Sequence, residues 1–212
     1  MGSHTAVSVV AANSLCHALV CLAVSRQSDS GWPADPPSEQ GAGHVIDKNY
    51  VTMMARYNAW QNTQLTGIVT KMDRDALELD RGAFFGSILG TLNHLLWGDR
   101  MWLSRFGANV DAPARGDTTK HTPTIAAWSA ERFQVDGRMK IWAAGLRNLD
   151  LAGELSWYSG GHDAMLTRPL GLCVAHFFNH QTHHRGQVHA MLTAAGQAAP
   201  VSDLVFMDDD GM

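Results

Sequence analysis

Residues 176 to 187 read His176-Phe177-Phe178-Asn179-His180-Gln181-Thr182-His183-His184-Arg185-Gly186-Gln187. At about 100° per residue on an α-helix, with His176 at zero, His180 falls near about 40°, His184 about 80°, His183 about −20° and Gln187 about 20°. Four histidines and a glutamine therefore share one face, where a core-facing helix ordinarily carries leucine and valine. A buried polar group without a partner costs about 1–3 kcal/mol, so something must satisfy these imidazoles. A bound metal ion does so directly.

Geometry limits which of them can share one ion. His176 and His184 lie about 12 Å apart along the helix axis, too far to meet on nitrogens about 2.1 Å from a common centre. His176/His180 and His180/His184 have the i, i+4 spacing of helical zinc sites, and His180/His183 the less usual i, i+3. Spacing alone leaves those pairs open. A third ligand must come from another helix, and the run Thr91-Leu92-Asn93-His94-Leu95-Leu96-Trp97-Gly98-Asp99-Arg100 offers His94 beside inward-facing leucines. Three neutral histidines would leave an ion its full charge and at least one open position, which favours catalysis or ligand binding over a closed structural site. Nitrogen donors suit zinc, nickel, iron or cobalt. Gln187 and Asn179 are candidates to orient ligands, and His183 or His176 to move protons near neutral pH.

The elements that must position these residues are helical. In a chain of 212 residues, apolar residues recur at spacings of three and four from Asn49 to Met72 and from Phe84 to Phe106, the second run ending at Gly107. Residues 108 to 120 read as a long loop. Thr122 or Thr124 caps a third helix running to about Leu146, with Pro123 in an early position. The fourth runs from Leu170 to about Ala195 and stops at Gly196. No repeat of 20 to 50 residues is present, and four helices of this length predict an all-α, four-helix bundle. Between the third and fourth, Leu155–Ser159 and Ala164–Thr167 flank Gly160-Gly161-His162-Asp163, a pattern that fits a small hairpin or an ordered crossover loop.

Composition narrows the class further. Charged residues make up 17% and hydrophobic ones 45%, with 16 basic against 20 acidic residues and a net charge of −4. No basic cluster is present, which argues against a nucleic-acid partner. Three cysteines make no disulfide framework, and Cys173 reads as a buried hydrophobe. Residues 1–47 differ in character: a polar-interrupted apolar stretch, Ala6 to Val24, precedes a Ser, Gly and Pro-rich run to Gly43. No Lys or Arg precedes the stretch, Ala18-Leu19-Val20 does not suit a lipid-bearing Cys21, and the stretch is too polar to span a bilayer. The expectation is a poorly ordered extension on a cytoplasmic protein with no membrane partner. His4, His17, His44, His121 and His162 carry no usable spacing and are expected at the surface, as is the acidic Asp208-Asp209-Asp210 tail. The tryptophans read as core and rim aromatics, with a pocket role open for Trp97 and for Asp99.

The combination of Asn93-His94-Leu95-Leu96-Trp97-Gly98-Asp99-Arg100 with His180-Gln181-Thr182-His183-His184-Arg185-Gly186-Gln187, together with Tyr57-Asn58-Ala59-Trp60, resembles the DinB-like family of metalloenzymes. The resemblance covers about residues 48 to 207 and excludes the first 47. It implies a bundle of up-down-down-up topology over 48–212 and a divalent metal on three histidines. By position those are His94, His180 and His184. Zinc or nickel is then the leading expectation, with iron, cobalt or manganese as alternatives. It also implies a small-molecule substrate, with thiol-dependent transfer using a low-molecular-weight thiol as the first activity, metal-water hydrolysis as the second, and a non-catalytic, damage-inducible metal-binding protein as the rival. His183 and Gln187 are the catalytic candidates. Homodimers are common in the family and expected here.

Overall fold

A computed structural model describes residues 46–208. The expected N-terminal extension therefore lies outside the described residues apart from its last two, and so do Asp209 and Asp210 of the acidic tail. The described chain is mostly helical: α1 (Lys48–Val69), α2 (Arg74–Glu78), α3 (Ile88–Arg105), α4 (Ile125–Gly145), α5 (Asn148–Leu151) and α6 (Leu170–Ala194), with strands β1 (Glu154–Ser159) and β2 (Ala164–Pro169) before α6.

Three of the four long helices start at side chains that accept otherwise free N–H groups. Asp47 accepts from the amide of Tyr50 at 2.8 Å, Ser87 from Gly90 at 3.0 Å and Thr124 from Ala127 at 3.2 Å. Thr124 is thus the cap of α4, and Pro123 lies outside the helix. The expected second helix begins four residues late, at Ile88 instead of Phe84. Gly86 takes φ 73° and its amide reaches back to the Ala83 carbonyl at 2.8 Å. That turn suits glycine and removes Phe84 and Phe85 from the helix. α1 closes at Val69, and the short α2 after it has no apolar periodicity that would announce it. Gly107, at φ 74°, follows the end of α3 as the sequence predicts.

The four long helices make their main contacts in a ring: α1 on α4, α4 on α3, α3 on α6 and α6 on α1. Leu65, Leu92, Leu96, Trp128, Met139, Phe177, Phe178 and Leu192 are fully buried between them. The pattern between α4 and α6 is a true antiparallel hairpin, Trp157 pairing with Leu166 and Ser156 with Thr167. Trp157 turns inward against Trp102 of α3, with ring centroids 5.5 Å apart.

The core also holds a polar layer. Arg132 of α4 lies 2.5 Å from Asp99 of α3 and 2.7 Å from Asp136, Gln181 of α6 donates to Asp99 at 2.7 Å, and Asn62 of α1 donates to Asp136 at 3.0 Å. One buried network therefore ties all four long helices together. Burial outweighs the nearby Arg132 cation and pushes the Asp136 carboxyl up to about 6. On the far side of α1, Tyr57 and Gln61 donate to the Ser202 and Val201 carbonyls at 2.5 and 2.6 Å, which straps the C-terminal segment down.

Candidate metal centre

α3 and α6 run in opposite senses, so His94 comes opposite His180 and His184 while Trp102, two turns on, meets His176. The Nε2 atoms of His94 and His180 are 3.1 Å apart. His184 completes a group whose ligand atoms all lie within 4.8 Å of one another, and which could hold a metal ion. Two nitrogens each about 2.1 Å from a tetrahedral ion stand about 3.4 Å apart, so the spacing of the first pair fits such an ion closely.

The outer nitrogens fix the rings. His94 Nδ1 meets Thr118 Oγ1 at 3.0 Å, and His184 Nδ1 donates to Gln187 Oε1 at 2.8 Å. Each contact occupies Nδ1 and leaves Nε2 facing the other rings, as partners around bound metals do, and the Gln187 oxygen, an acceptor only, places the His184 proton on Nδ1. His180 differs: its Nδ1 is buried with no hydrogen-bond partner. Burial first, and the adjacent imidazoles of His184 and His94 second, lower its pKa to about 2. The ring is therefore neutral, which is the state that ligates. Its Cε1 edge rests on Gly98 of α3, where an added Cβ would lie 3.1 Å away.

Phe85 stacks on the His94 ring, centroids 3.8 Å apart at 24°, and lies 5.2 Å from the His184 ring. The residue that the sequence assigned to a helix face is an aromatic cover on the centre, delivered there by the Gly86 turn. The loop from 107 to 124 forms the other wall, held by successive polar residues of α3. Asn93 donates to the Thr119 and Thr122 carbonyls at 3.0 and 3.1 Å and accepts from the Thr122 amide and hydroxyl at 3.0 and 2.7 Å. Trp97 Nε1 donates to the Ala114 carbonyl at 2.9 Å, and Arg100 to that of Asp111. Trp97 thus serves the loop, and Asp99 the buried ion network.

The remaining candidates fall outside the cluster. His183 is exposed, and Gln187 Nε2 donates to its Nε2 at 3.3 Å, so one amide links a triad ring to a surface imidazole. His176 is exposed with its ring 6.1 Å from that of His180, Asn179 is exposed, and Cys173 is buried and free. His121 overturns the expectation of a surface position: it pairs with Glu131 at 2.8 Å, with its side chain 12% exposed. His162 is exposed, as expected.

Thr118 and Phe85 are the neighbours that sequence reasoning missed. Both sit in turns, where no periodicity points inward. Gly98 did carry a signal, since a glycine inside a helical pattern marks close approach of another group.

Residues 46–210 match the family model described as DinB family. The chain is also 22% identical over 160 residues to "Protein DinB" of Bacillus subtilis (strain 168), an alignment covering 73% of this chain and 91% of that protein. With the family model spanning both histidine-bearing helices and most of the sequence, the chain belongs to the DinB family.

Proposed function

We propose that His94, His180 and His184 hold one divalent cation through their Nε2 atoms, and that the protein is a metal-dependent enzyme acting on a small molecule. The observation that carries this reading is the convergence of three imidazoles from two helices, 3.1 Å apart at the nearest nitrogens. A direct hydrogen bond at this distance pairs only two of the rings, whereas one cation engages all three. Zinc or nickel fits three nitrogen donors best, with iron, cobalt or manganese as substitutes. The ring of helix contacts supports a four-helix bundle of up-down-down-up order as the scaffold, occupying 48–212.

A divalent ion with an open position lowers the pKa of bound water towards about 7, or holds a thiol as its thiolate. The protein's own residues prepare that position. Thr118 holds the His94 ring in place, Gln187 Oε1 fixes the tautomer of His184, Phe85 shields one side from water, and exposed His183 receives or delivers a proton at the surface end of the Gln187 amide. Thiol-dependent group transfer is the reaction we favour, because three neutral ligands leave the ion able to bind an anionic sulfur without overcharging the site.

The test combines metal analysis of protein purified without a polyhistidine tag with turnover assays using low-molecular-weight thiols and an electrophile panel. About one divalent ion per chain, absent in His94→Ala, supports the centre. Thiol-dependent turnover lost in His184→Ala supports the transferase. Turnover without thiol would select hydrolysis, and tight binding without any turnover would select a storage or sensing protein.

A further inference from the structure

Arg185 follows His184 on α6, about 100° further round the helix, and reaches α1 instead of α3. It is 6% exposed. Nη1 donates to Asn58 Oδ1 and the guanidinium carbon lies 5.3 Å over the Tyr57 ring, but Nη2 is buried with no hydrogen-bond partner. Stacking satisfies the face of a guanidinium and leaves its N–H edge unpaired. No ion pair serves that edge: among the described residues Arg185 has no carboxylate at salt-bridge distance. Asp99 and Asp136, the acids of the buried layer, both pair with Arg132. Burial above all draws the Arg185 pKa below the ordinary arginine value, yet an arginine keeps its charge in a protein. A cation buried in this way ordinarily has an anion beside it.

Arg185 also lines a cavity of about 340 Å³ between α1, α6 and the C-terminal strap. Tyr57, Gln61, Thr182, His189 and Ser202 line it too, and none of its walls is acidic. The His189 ring and the Ser202 hydroxyl have no hydrogen-bond partner among the described residues. A guanidinium, an imidazole and a hydroxyl, all able to donate, thus border one space that holds no carboxylate to repel negative charge. The volume falls at the small end of ligand sites, which begin at about 300 Å³. Water in such a space would complete a hydrogen bond and leave the charge uncompensated, whereas an oxyanion does both.

We infer that this cavity is a second binding site, taking a small oxyanion, phosphate or carboxylate, on Arg185 Nη2 with His189 and Ser202 as further donors. The strap wall is held by side chains of α1, through Tyr57 on the Ser202 carbonyl and Gln61 on that of Val201. It shifts at Ser202 to uncover Nη2 without unpacking a helix. The site lies on the α1 side of α6, away from the metal centre on the α3 side, and does not depend on that centre holding an ion.

The experiment is titration calorimetry on the full chain with inorganic phosphate and, separately, succinate, at constant ionic strength. Saturable binding of one anion per chain is expected, with a dissociation constant of about 1 mM or lower. The affinity should be the same after chelator treatment and in His94→Ala. Gly186 lines the cavity and nothing stands near its Cβ position, so Gly186→Leu fills the space without disturbing the core. That variant and Arg185→Gln should each weaken binding at least about tenfold, and Gly186→Leu carries the test should Arg185→Gln fail to fold. Tighter phosphate assigns a phosphate-bearing ligand and tighter succinate a carboxylate, and either supports the site. No saturable binding of either anion overturns the inference. So does binding abolished by the chelator or by His94→Ala, which would put the anion on a metal ion. Full affinity in Gly186→Leu or in folded Arg185→Gln overturns it as well.

Discussion

Replacing Gly98 by alanine sets two effects against each other on one residue. In the interior of α3, Gly→Ala gains about 0.8–1.0 kcal/mol of helix propensity, which in a domain of this size raises Tm by about 3 °C. The new methyl meets only His180, at 3.1 Å from Cε1 and 3.7 Å from Nδ1. Carbon contacts are comfortable from about 3.5 Å, so the ring must retreat by about 0.4 Å. Metal–ligand distances tolerate only about 0.2 Å. Stability of the metal-free protein should therefore rise while metal affinity falls about tenfold, equal to about 1.4 kcal/mol. Thermal melts of the stripped protein and zinc titration against a competing chelator read the two quantities separately. A variant that is stabilised and binds zinc as tightly as the parent would refute the placement of His180 as a ligand pressed on Gly98.

Gln187→Leu removes the acceptor for His184 Nδ1 and should weaken metal binding by about 10–100-fold, whereas Gln187→Glu keeps an acceptor and most of the affinity; chelator competition distinguishes them. Asn93→Ala strips four hydrogen bonds from the Thr119–Thr122 segment, three of them buried, and should cost about 2–4 kcal/mol, measured by urea unfolding of the metal-free form. Asp136 has a folded pKa of about 6, above the ordinary 3.8. The folded state therefore holds its proton more tightly than the unfolded one. Its contribution to stability is full below about pH 4 and lost as pH rises through about 6, about 3 kcal/mol in all. Unfolding free energies from about pH 4 to about 7 should show that decline, with Asp136→Asn flattening it; an unaltered slope would count against the assignment.

The histidine site was legible because its signal is chemical: polar rings at i, i+4 on a face that packing reserves for leucine, and one more in a leucine-rich helix. The four long helices announced themselves by period, and Asp47, Ser87 and Thr124 show that three of their starts are capped by local chemistry. What escaped was tertiary. Phe85 reaches His94 through a left-handed Gly86, and an apolar residue three positions before a helix gives no sign that it stands outside it. Thr118 reaches the same ring across a loop whose course depends on Asn93, which reads locally as an ordinary helix residue. The join of Asp99, Arg132, Asp136, Gln181 and Asn62 across the four long helices was likewise invisible, because polar and charged residues signal burial only once their helices meet.

Asn93 and His94 are consecutive residues. The first clamps the 118–122 segment through both ends of its amide, and the second touches Thr118 through Nδ1 while turning Nε2 to the centre. An ion held by His94 would therefore be linked to the seating of the loop through one peptide unit, and linkage is reciprocal. A cation that tightens His94 must protect the Thr118 segment from proteolysis and amide exchange, and a ligand that lifts that segment must loosen the cation by the same factor.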